Sequence, residues 1–176
     1  HPDQFTAQYA KRRDDKTSAN PGPYRKLKLS FIAARTTAAA GADCAADRDA
    51  AVKAIKTDWE RTLMSTVVFY ANDAAKKLTV DPPTDDDVAA GLHSLGEMVA
   101  FVHGYRQIDS AERTLTDQDI DDLLALLGAP ATGDATSYKY ATETATEVGK
   151  LPQVSAKLKA IYGFTDVEME QFKVAY

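Results

Sequence analysis

His93 and Glu97 are the residues of this sequence whose types and spacing most invite chemistry. An imidazole and a carboxylate at i and i+4 leave one face of an α-helix about a turn apart. So placed, they can hydrogen-bond each other or a neighbouring helix. They can also supply two ligands to a metal ion, as helical bundles do, or share acid/base work. Ser94, between them in sequence, is a donor that can support a ligand from behind.

The element that must position them is a helix over about Asp85–Gln107. Thr84 is a suitable N-cap, and Asp85, Asp86 and Asp87 load the first turn with negative charge that suits the helix dipole. At 100° per residue, Val88, Leu92, Leu95, Val99 and Val102 share one direction, while His93, Glu97 and Phe101 fall on the other side. That other side also carries Ala90, Ala100 and Gly104. A helix that is apolar or small nearly all round is normally buried. The expectation is therefore a central helix from which His93 and Glu97 project together into the interior.

A buried carboxylate is costly unless paired or ligated. Glu143, Glu147, Asp58, Glu60 and Asp73 are the acids on other segments that can join the pair, and the sequence does not choose among them. The protease pattern of two histidines flanking a glutamate is absent. His103 lies about 80° from His93 around the helix and reads as a half-exposed histidine near the helix end. Cys44 has no histidine near it in sequence and permits no intrachain disulfide. Asp117, Asp119, Asp121 and Asp122 lack the central glycine of a calcium loop. No glycine-rich phosphate loop is present.

The rest of the chain reads as further helices. His1 to Asp15 has weak helical periodicity, and Asn20-Pro21-Gly22-Pro23 breaks it. Leu27, Phe31, Ala34 and Ala38 mark a helix over about Tyr24–Ala40. Val52, Ile55, Trp59, Leu63, Val67, Tyr70 and Ala74 mark a long one that runs to about Leu78. Pro82 and Pro83 open a loop. Thr116 caps a helix whose stripe is Ile120, Leu123, Leu124 and Leu127. A further helix spans about Thr136–Val148, another opens at Pro152 and ends at Gly163, and Thr165 with Glu168 starts the last. The fold class is all-α, an up-and-down helical bundle. Residues 1–23 form an N-terminal segment and linker, and residues 24–176 form a single domain.

Twenty-one basic against twenty-six acidic side chains give a net charge of -5, which argues against a nucleic-acid partner. The one basic cluster, Lys11 to Arg13 with Lys16 and then Arg25, Lys26 and Lys28, reads as a solvated segment. No apolar run reaches the length of a bilayer span, so no transmembrane segment is expected in this chain. The chain opens on His1 rather than Met and reads as a processed or trimmed product.

Gly91-Leu92-His93-Ser94-Leu95-Gly96-Glu97, followed by Phe101, resembles the signature helix of the imelysin-like superfamily. More specifically it resembles an uncharacterised branch, in which a helix with a tryptophan and a later tyrosine precedes the motif helix. Here those residues are Trp59 and Tyr70. The family's motif sets histidine and glutamate three apart, whereas His93 and Glu97 stand four apart. The resemblance implies a bacterial cell-envelope protein or lipoprotein, periplasmic or surface-exposed, with an iron-linked role.

Together these readings lead to a non-enzymatic helical domain that binds a metal, iron or zinc, or an iron-linked ligand. His93 and Glu97 are its ligands, with Ser94 behind them. The alternative is a protein–protein interaction module in which the His/Glu pair is structural. The alanine-rich stretch Ala33–Ala51 would then offer a packing face to a partner helix, and an exposed apolar patch would favour that reading.

Overall fold

Three helices start on the same four-residue device. In the computed structural model, Thr84 Oγ1 accepts from the Asp87 backbone N–H while the Asp87 carboxylate accepts from the Thr84 backbone N–H. Thr116 with Asp119 and Thr165 with Glu168 repeat it. Each box satisfies N–H groups that the first helical turn leaves without partners. The structure describes residues 5–14 and 22–174.

The helices are α1 (Phe5–Arg12), α2 (Pro23–Ala40), α3 (Ala45–Leu78), α4 (Asp85–Gly104), α5 (Asp117–Leu126), α6 (Lys139–Thr142), α7 (Thr144–Val148), α8 (Leu151–Tyr162) and α9 (Asp166–Phe172). Short 3₁₀ turns stand at Ala42–Cys44, Tyr105–Gln107 and Ser110–Glu112. Among the described residues there is no strand, and the protein is all-α. No described helix is long and apolar enough to cross a membrane. The described residues form two compact units, one up to residue 63 and one over residues 64–174. The division falls within α3, between Leu63 and Met64. Asn20 and Pro21 of the expected linker lie outside the described residues.

The first unit holds α1, α2 and the opening turns of α3. Tyr9, Ala10, Leu27 and Ala51 are buried in it. So are Arg13, 2% exposed, Asp14 and Glu60. Arg13 thus departs from the solvated basic segment that the sequence suggested. It follows the last turn of α1, where its N–H bonds the Tyr9 carbonyl, and long cationic side chains readily bury their stems. Arg25 Nε stands 3.4 Å from Asp14 Oδ2, tying α2 to the end of α1. Ser30 Oγ donates to Asp58 Oδ2 at 2.9 Å, tying α2 to α3. Leu27 is the buried residue of α2; Leu29, Phe31 and Ile32 are exposed.

The second unit is built around the C-terminal half of α3. Met64, Val67, Val68, Ala71, Ala74 and Leu78 are all buried there, stepping by three, four or one as a helix interior does. Leu95, Met98 and Val102 of α4, Ile120, Leu123 and Leu124 of α5, and Leu151, Val154 and Leu158 of α8 belong to the same core. Burying each leucine contributes roughly 1.5–3 kcal/mol. An aromatic cluster closes the end of the chain: Phe164 stacks on Tyr162 at 5.4 Å and meets Phe172 edge-on at 4.9 Å.

Two expectations are corrected here. The helix expected over Thr136–Val148 is two short ones, α6 and α7, divided at Glu143, whose φ of -128 and ψ of 41 leave the helical region. Thr142, Thr144 and Thr146 supply weak helix formers around the break. The Thr144 hydroxyl donates to the Tyr140 carbonyl, a side-chain bond that competes with regular helix pairing. The second correction concerns α4. It ends at Gly104 and is not buried all round: its buried residues are Gly91, Ser94, Leu95, Met98 and Val102, and His93, Gly96, Ala100 and His103 are exposed.

Candidate functional site

The buried face of α4 is turned by roughly 70° from the stripe of Val88, Leu92, Leu95, Val99 and Val102. Two residues account for the rotation. Met98 is fully buried, and Ser94, 1% exposed, sits inside because its hydroxyl has an acceptor there. Ser94 Oγ donates to Asp73 Oδ2 on α3 at 2.6 Å, and it also reaches the Ala90 carbonyl at 3.2 Å. Lys77 Nζ, 2.7 Å from the same Asp73 oxygen, completes a small charged network. Gly91 lies on the same face. A Cβ there would stand 2.5 Å from Leu78 Cγ, so only glycine allows this approach of α4 to α3.

His93 and Glu97 consequently face away from the core. The imidazole Nε2 lies 3.6 Å from Glu97 Oε1, with the histidine side chain 71% and the glutamate side chain 31% exposed. The structure brings the expected pair together but on the surface, which corrects the inward projection. Ser94 does not stand behind them; it is committed to Asp73. The acids expected to join them are engaged elsewhere. Asp58 accepts from Ser30. Glu143 pairs with Lys139 at 3.2 Å, and buried Glu147 holds Lys150 at 2.6 Å. Among the described residues, no group of three or more His, Cys, Asp or Glu is placed to hold a metal ion.

The other residues of the motif comparison divide between the two units. Tyr70 and Phe101 stack in the second, ring centroids 6.3 Å apart and planes at 25°. Both are half-buried, so Phe101 packs onto α3 one turn beyond Glu97. Trp59 belongs to the first unit, where it meets Phe31 edge-on at 6.5 Å and 67°.

That Trp59–Phe31 contact lies in an apolar groove of about 440 Å³ in the first unit. Leu27, Phe31 and Ile32 of α2, with Trp59 of α3, supply its apolar surface, and α1 adds Ala7 and Ala10. Phe31 is 49% exposed, Ile32 44% and Trp59 38%. Lys28 and Arg35, one helical turn to either side of the Phe31–Ile32 pair, border the groove. Both are exposed, and neither takes part in an ion pair among the described residues.

Sequence reasoning put Phe31 on one stripe of α2 with Leu27, Ala34 and Ala38 and did not mark the groove. The signal was present in what surrounds Phe31. Its companions on the stripe, Ala34 and Ala38, have little side chain to bury, and Ala38 is exposed along with Phe31. Ala33, Ala39, Ala40 and Ala46 are exposed as well, and the alanine-rich stretch therefore presents surface. Comparison of the chain with protein-family models, curated proteins and solved structures finds no match.

Proposed function

We propose that this chain is a non-enzymatic protein–protein interaction module whose recognition surface is the groove of the first unit. The observation that carries the reading is the juxtaposition of half-exposed Phe31 and Trp59 with exposed Ile32 between two cations, Lys28 and Arg35. Aromatic side chains and arginine are the residues enriched where proteins bind one another. The groove lies open at the surface, as a docking face for another chain does, and among the described residues its lining includes no carboxylate, histidine, cysteine or serine.

A photo-crosslinking amino acid at position 32, compared with one at exposed Val167 in the second unit, tests the proposal in the protein's own host cells. A discrete protein adduct is expected from position 32 and not from position 167. Equal labelling at both positions, or none at 32, would remove the groove as the interaction surface.

A second reading keeps His93 and Glu97 as two protein ligands to a divalent metal, iron or zinc, the remaining positions being filled by water. Their 3.6 Å separation on one helical face supports it, as does the resemblance of Gly91–Glu97 and Phe101 to the imelysin-like signature. An envelope location and an iron-linked role belong to the same proposal. Its test is the metal content of desalted protein by mass spectrometry, wild type beside His93→Ala and Glu97→Ala. Stoichiometric metal lost in both variants supports this reading, and metal-free wild type removes it.

A further inference from the structure

The groove's charge and length narrow the partner, given the interaction reading just proposed. Helix α2 carries Arg25, Lys26, Lys28 and Arg35 and no acidic residue. Lys28 and Arg35 stand seven residues apart, about 10 Å along the helix axis. Between them the surface is apolar and aromatic. A second copy of this chain is a poor occupant, because α2 against α2 sets like charge on like charge. A lipid surface is also a poor fit: membrane-binding helices present a convex apolar face, whereas these residues line a concave groove.

We infer that the groove receives an amphipathic α-helix of another protein, apolar on its inward face, with acidic side chains seven residues apart that meet Lys28 and Arg35. Seven residues are two helical turns, so two acids at that spacing share one face and repeat the spacing of the two cations. The apolar residues between them then lie over Phe31, Ile32 and Trp59, the mode in which helices bind grooves through anchors at i, i+3, i+4 and i+7.

Trp59 is the sole tryptophan of the sequence, so its emission reports on the groove alone. The probes are two synthetic peptides of about 18 residues, long enough to form a helix on binding. One carries leucine on its inward face and glutamate at the flanking heptad positions; the other replaces each glutamate by lysine. The glutamate peptide is expected to shift Trp59 emission to shorter wavelength, saturably, and to bind about tenfold more tightly than the lysine peptide, as two exposed ion pairs replace two repulsions. The preference is expected to shrink at roughly 0.5 M salt and to reverse in the Lys28→Glu, Arg35→Glu double variant, whose fold is checked by circular dichroism.

Equal binding of both peptides, or no reversal in the double variant, would overturn the inference. A Trp59 shift with phosphatidylglycerol vesicles and none with either peptide would overturn it in favour of a membrane surface. Silent peptides together with a protein adduct at position 32 would sink the acidic helix alone and leave the interaction module standing. Silent peptides with no adduct would sink both.

Discussion

Ser94 and Asp73 form a 2.6 Å hydrogen bond between α4 and α3, and that bond acts with buried Met98 to set which way α4 faces. A serine buried without an acceptor is costly. Asp73 provides the acceptor, with Lys77 balancing its charge, and the serine side of the helix is therefore the inner one. His93, the neighbouring residue in sequence, is turned to solvent as a result.

Removing the hydroxyl should show it. Ser94→Ala is expected to cost about 1 kcal/mol of stability, the loss of one buried hydrogen bond to a charged group net of what alanine packing returns. His93→Ala should stay within about 0.5 kcal/mol of wild type, as exposed substitutions do. Urea unfolding of the two variants makes the comparison. A His93→Ala loss as large as that of Ser94→Ala would show that the imidazole holds the helix in place.

Gly91 and Gly96 make a second contrast on the same helix. Gly91→Ala puts a methyl into Leu78, and overpacking of this kind costs about 1–3 kcal/mol. Gly96 is exposed and nothing lies within 4 Å of a Cβ built on it. Gly96→Ala is expected to stabilise by about 0.5–1 kcal/mol through helix propensity. Thermal melts that ranked the two variants in the opposite order would refute the close approach of α4 to α3.

Acid should weaken the second unit through Asp119 and Asp122. Burial pushes the Asp119 carboxyl up, but hydrogen bonds from Thr116 and Lys157 together outweigh it and hold it below the ordinary aspartate value. Gln118 and then Lys157 do the same for Asp122. Lys157 Nζ lies 3.0 Å from an oxygen of each. Since the folded pKa values lie below the unfolded ones, this stabilisation is complete above the ordinary aspartate pKa of about 4 and is lost as pH falls through the folded values. For Lys157 burial lowers the pKa, but the two aspartates raise it above its usual value. Its contribution is complete below about pH 10 and is lost as pH rises through the folded value. Lys157→Met should therefore lose less stability than wild type between about pH 5 and about pH 3. Parallel urea midpoints in the two proteins would deny the lysine this part.

The capping boxes give a fourth test. Thr116→Ala deletes the acceptor of the Asp119 N–H and is expected to cost about 1 kcal/mol, with Thr116→Asn recovering most of it. Guanidinium unfolding of both variants checks the pair. A full loss in Thr116→Asn would mean that the hydroxyl does something other than cap.

The sequence made three helix starts legible because each is coded locally. Thr84, Thr116 and Thr165 all cap where their patterns place them, and Gly163 ends α8 with a φ of 61 that glycine accepts without strain. The burial direction of α4 was not legible. Gly96, Ala100 and Gly104 look apolar in a one-dimensional pattern, yet they have almost no side chain to bury and lie at the surface without penalty. Ser94 looks polar, and its place inside depends on Asp73, twenty-one residues earlier. The His93–Glu97 pair was legible as a pair and not as a surface one for the same reason. The groove depends on how far alanine-lined helices approach each other, and helical periodicity does not carry that distance.

The repeated threonine caps also bear on the order in which structure is acquired. Thr84, Thr116 and Thr165 each complete their box within four residues of chain. Nothing distant in sequence is needed to choose where α4, α5 and α9 begin. As the chain folds, those three starts are already marked in the local sequence, while packing must supply the stability of the helices and decide which face each turns inward.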